Sequence, residues 1–126
     1  MMIIITPEVA LDTLREVVAE AGEDYTYPPA MKGEACTYVA GGKPSCLIGR
    51  VLFKLGVPLE RLEEADRAQG GTGEPAFELL GTLKGEGVVD VDLDVRHLFS
   101  EAQFAQDNGS CWGSALAAAT TEFGYH

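Results

Sequence analysis

Basic residues are scarce in this chain. Nine Lys and Arg stand against twenty Asp and Glu in 126 residues, which leaves a formal net charge of −11 at pH 7. A surface of that sign repels phosphate backbones and anionic headgroups, so neither direct nucleic-acid binding nor membrane binding is expected. Long hydrophobic runs are missing too. Apolar stretches such as Val51-Leu52-Phe53 fall far short of the roughly 20 residues a membrane span needs. The opening Met1-Met2-Ile3-Ile4-Ile5-Thr6 lacks the basic segment of a secretory leader, so the sequence reads as unexported and cytoplasmic. Cysteine is limited to Cys36, Cys46 and Cys111, an odd number with no CxxC spacing. That excludes a disulfide framework or zinc ribbon and points to free thiols in a reducing compartment. Histidine is limited to His97 and His126, neither in a catalytic pattern, so a cysteine nucleophile has no evident base. The chain is therefore read as non-enzymatic, with no cofactor and no metal.

What is present suits a folded protein. The 46% hydrophobic and 23% charged content is ordinary for a globular chain, and the length fits one domain over residues 1–126. Thr6-Pro7-Glu8 is a helix start and Gly22 a stop; Val9, Leu14, Val17, Val18 and Ala21 between them recur at helical spacing, predicting a helix over 7–21. Tyr25, Tyr27, Pro28 and Pro29 mark an extended loop over 23–33. Cys36 to Val39 has strand chemistry, and Gly41-Gly42 supplies a turn. Ser45 is expected to cap a central core helix carrying Leu47, Ile48, Val51, Leu52 and Leu55, which Gly56 ends. Pro58 and Pro75 open two further helices, separated by a glycine stretch at 70–73 read as a flexible loop. Val95, Leu98, Phe99, Ala102 and Ala105 mark another helix, ended by Asn108-Gly109. Ser110 is expected to cap a last one, from Cys111 to about Glu122, beyond which residues 123–126 fray. The fold class is mainly α: a compact bundle of about five to six short helices with a small β-hairpin or extended excursion near residues 35–44.

Four patterns carry candidate chemistry. Glu8, Asp12, Glu16 and Glu20 repeat every four residues and line one face of the first helix. Like charges at this spacing cost a few tenths of a kcal/mol per pair, roughly, so the row suits either a solvated face or a basic partner surface. Asp90, Asp92, Asp94 and Glu101 fall at calcium-loop spacing. Val95 replaces the glycine that such a loop's turn requires, so a strand leading into a capped helix is the better reading. Cys46 and Cys111 each follow a serine, in the first turn of a helix, where N–H groups favour a thiolate; a buried, inert cysteine is the simpler explanation. A second site is drawn around Tyr25, Tyr27, Arg50, Gln103, Gln106, Asp107 and Trp112, polar and aromatic residues able to form a ligand pocket or to serve as caps and core.

The run Ala35-Cys36-Thr37-Tyr38-Val39-Ala40-Gly41-Gly42-Lys43-Pro44-Ser45-Cys46-Leu47-Ile48-Gly49-Arg50-Val51-Leu52, with Leu55-Gly56-Val57 and the later Ala102-Gln103, Gln106-Asp107, Gly109, Trp112-Gly113 and Ala115, resembles small uncharacterised proteins of actinobacteria and their phages. The resemblance implies a bacterial cytoplasm and a phage accessory or host-modulating role, with no activity to place on any residue. The expected function is an acidic interaction protein whose Glu8, Asp12, Glu16 and Glu20 meet a basic surface of a bacterial protein. The alternative is a small-ligand-binding or thiol-dependent domain at the tyrosine, Arg50 and Trp112 cluster.

Overall fold

A computed structural model describes residues 2–27, 37–68 and 74–122. Among these residues the chain forms six helices and two small paired-strand units. The mainly helical bundle with a hairpin is as the sequence predicts. The loop beyond residue 27, Cys36, the glycine stretch and the last four residues lie outside the described residues.

β1 (Ile3–Ile4) leads into α1 (Pro7–Ala21), where Thr6 Oγ1 accepts from Val9 N at 3.2 Å and Gly22, at φ 102°, ends the run. The hairpin of β2 (Val39–Ala40) and β3 (Lys43–Pro44) is antiparallel, with Val39 opposite Pro44. Its turn is Gly41-Gly42 at φ 59° and 76°, a left-handed pair that matches strand twist and that side chains resist. Next come α2 (Leu47–Leu55), α3 (Leu59–Arg67) and α4 (Ala76–Gly85). β4 (Val89–Asp90) then pairs in parallel with β1, Ile3 opposite Val89. This pair is not predicted: two residues are too few to show strand periodicity. Asp92 Oδ1 accepts from Val95 N at 3.0 Å to open α5 (Leu93–Asp107), and α6 (Trp112–Glu122) follows the Asn108-Gly109 turn.

Two caps differ from the expectation. Cys46, not Ser45, caps α2, its Sγ accepting from Gly49 N at 3.4 Å. Ser45 is taken elsewhere, its Oγ lying 3.0 Å from the Tyr27 hydroxyl. α6 begins one residue late, with Cys111 and not Ser110 before its first turn. Its leading N–H groups need no serine, because Trp112 N and Gly113 N donate to the carbonyls of Tyr25 and Glu23 at 2.7 and 2.8 Å. Both cysteines thus precede their helices instead of lying in the first turn.

The core is one hydrophobic cluster. α2 buries Leu47, Ile48, Val51 and Leu52 completely. The hub, however, is α5, which packs against α1, α2, α4 and α6, so the expected central position of α2 passes to its neighbour. Gly49 lets α2 approach the hairpin: a Cβ there would collide with the Tyr38 carbonyl.

Candidate functional site

The residues drawn together from sequence separate into two groups. Tyr25, Arg50 and Trp112 do meet. The loop after α1 brings Tyr25 edge-on to Trp112, with ring centroids 4.6 Å apart, and α2 lays the Arg50 guanidinium 4.8 Å from the indole centroid and 5.6 Å from the phenol. Arg50 Nε donates to the Ser45 carbonyl at 3.1 Å, which fixes the stack. Trp112 is fully buried, and its indole N–H has no hydrogen-bond partner among the described residues.

The second group is spent on the fold. Gln103 Oε1 accepts from Ala76 N at 2.8 Å and its Nε2 donates to the Tyr38 hydroxyl at 3.0 Å. That hydroxyl donates in turn to the Glu74 carbonyl. Gln106 Oε1 accepts from Leu47 N at 2.9 Å, and its Nε2 donates to Asp107 Oδ1 at 2.8 Å. Each glutamine therefore satisfies the first N–H of another helix, α4 or α2, from across the core. Asp107 titrates above its usual range because burial outweighs the hydrogen bond from Gln106. Tyr27 is buried, its hydroxyl between Ser45 Oγ and Thr37 Oγ1. Clefts of about 200 and 230 Å³ indent the described surface, and both are lined by other residues.

Glu8, Asp12, Glu16 and Glu20 are exposed along α1 as predicted. The row is partly neutralised from α2, a pairing that one helix's sequence does not reveal. Lys54 Nζ sits 2.6 Å from Glu20 and 3.8 Å from Glu16, and the Glu20 hydrogen bond raises its pKa. Asp12 meets Arg15 at 3.4 Å. Glu8 has no ion pair among the described residues.

Cys46 is fully buried and Cys111 half-buried. The Cys111 thiol is pulled below its ordinary value by the Ser114 hydroxyl, 3.2 Å away, and by the backbone N–H groups of Ser114 and Gly113. Asp24 and burial oppose this more weakly. His97 tilts against Phe77, with centroids 4.9 Å apart. Asp92 is used as a cap, and no three His, Cys, Asp or Glu side chains gather as a metal site among the described residues. Nor is any described helix long and apolar enough to cross a membrane.

Sequence reasoning missed Asp66. Its two oxygens accept from Tyr38 N at 2.7 Å and Val39 N at 2.9 Å, tying the hairpin to α3. Burial raises its pKa against the pull of those two donors. An Asp inside an acidic helix gives no signal of a contact 28 residues away. No family model, no curated protein and no solved structure matches the chain.

Proposed function

We propose that the chain is a non-enzymatic interaction protein whose acidic exterior docks on a basic surface of a bacterial protein, in the phage accessory or host-modulating setting that the resemblance implies. The observation that carries the reading is where the cations go. Arg15, Lys54 and Arg61 pair with carboxylates of the chain itself. Arg50, Lys84 and Arg96 are tied to the carbonyls of Ser45, Val91 and Phe77. These six of the nine cations are held within the chain, while Lys43 and Arg67 stand exposed among more numerous exposed carboxylates that include Glu8, Glu60, Glu78, Asp90 and Asp94. Such a field steers basic partners and rejects acidic ones. Affinity capture from bacterial lysate, eluted with a salt gradient and identified by mass spectrometry, tests it. Retention of basic proteins that elute at moderate salt supports the reading, and retention indifferent to salt opposes it.

A second reading, a small-ligand or thiol-dependent site, draws on the half-buried Arg50 stack, whose indole N–H finds no partner among the described residues, and on the lowered Cys111 thiol. It requires a ligand that raises the melting temperature and loses that effect in Arg50→Met.

A further inference from the structure

We propose that the cleft between α3 and α4 receives the side chain of a lysine or arginine from a basic partner. The inference rests on the reading that the partner is basic, and it names the part of that partner and a seat for it. The cleft has a volume of about 200 Å³. That is the space of roughly seven water molecules, below the range of pockets that hold drug-sized ligands, and it suits a single side chain.

Its lining has two characters. Ala65, Leu79 and Leu83, all buried, give it apolar wall, while Glu64, Glu74 and Glu86 supply carboxylates. An apolar wall under a carboxylate edge matches a long basic side chain, which lays its methylene stem on the wall and its charged head among the oxygens. One cation of the chain already belongs to this lining. The Arg61 guanidinium is held between Glu64 and Glu86, at 3.3 Å from Glu64 and in direct contact with Glu86. Glu74 is left over: its half-buried carboxylate accepts from the Thr82 hydroxyl at 3.0 Å and has no cationic partner among the described residues. Three carboxylates against one guanidinium leave the lining net negative, which turns away an anion. A purely apolar guest would strand those carboxylates unsolvated.

The probe is Nα-acetyl-lysine methylamide, titrated into the full ¹⁵N-labelled chain, with the arginine analogue and the uncharged norleucine analogue alongside. The expected result is saturable shifts of the Ala65, Ala68, Leu83 and Glu86 amides with either cation, weaker by about fivefold or more with norleucine. Glu74→Gln should weaken the lysine probe by a similar factor, while Glu23→Gln, at an exposed carboxylate outside the cleft, leaves it unchanged. Equal response to norleucine, shifts confined to α1, or no saturable shift would each overturn the assignment. A basic polypeptide, poly-lysine, separates the two readings. If it binds and the single-residue probes do not, the cleft is wrong and the acidic docking surface stands; if neither binds, the docking surface falls as well.

Discussion

Replacing Gln106 with Met should cost about 2–3 kcal/mol of stability. The side chain is 1% exposed, and its Oε1 is the acceptor for Leu47 N, at the start of a helix whose first two residues are fully buried. Methionine fills nearly the same volume, so the packing loss stays below about 1.5 kcal/mol, whereas stranding a buried N–H costs about 1–3 kcal/mol. At roughly 2.1 cal/mol/K per residue, the unfolding entropy of a chain of this length makes each kcal/mol worth about 4 °C, so the melting temperature should fall by roughly 8–12 °C. Urea unfolding followed by Trp112 emission measures it cleanly, since this is the sole tryptophan and it is fully buried. Gln106→Glu supplies a second arm. It keeps an acceptor for Leu47 N but sets a carboxylate oxygen where Nε2 now lies 2.8 Å from Asp107 Oδ1. The new glutamate's folded pKa is raised, so its stability is intact below the unfolded pKa of about 4.3 and is lost as pH rises through the folded value. If Gln106→Met lies within about 0.5 kcal/mol of wild type, the cross-core cap is not what holds α2.

Three further outcomes follow from the same geometry. Asp66 has a folded pKa raised above its ordinary 3.8, so its contribution is full below 3.8 and declines as pH rises through the raised value. Asp66→Asn should flatten that part of a pH–stability profile measured by urea unfolding, and an unchanged slope would contradict the assignment. Gly49→Ala should destabilise by about 1–3 kcal/mol in the same assay, because the added methyl meets backbone and not a movable side-chain end. In the native state iodoacetamide should label Cys111 and spare Cys46, with Ser114→Ala slowing the labelling near neutral pH; peptide mapping that finds Cys46 modified first would refute this.

The helices were legible because each carries its own punctuation. Thr6-Pro7, Pro58, Pro75, Gly22 and Gly56 act on neighbours within one turn, and the apolar period between them needs no knowledge of the rest of the chain. The hairpin was legible for the same reason, through Gly41-Gly42. What escaped is non-local. Ile3 pairs with Val89, Lys54 reaches Glu20, and Gln106 caps a helix 59 residues earlier. The ligand site drawn from sequence shows the limit most clearly. Its amide groups were correctly singled out as polar groups with duties, yet Gln103 and Gln106 serve the N–H groups of α4 and α2, partners visible only once the helices are packed. Tyr25, Arg50 and Trp112 meet because the loop after α1 and the first turns of α2 and α6 converge.

The central claim is that the acidic exterior is the working surface. The most direct measurement is calorimetric: the affinity of a partner captured from lysate for wild type and for the double variant Glu8→Lys, Asp12→Lys. Neither residue is buried, so the fold should persist. Reversing two charges at such a contact should weaken binding by about tenfold and reduce its salt dependence. Equal affinity and equal salt dependence would contradict the account at this face of α1.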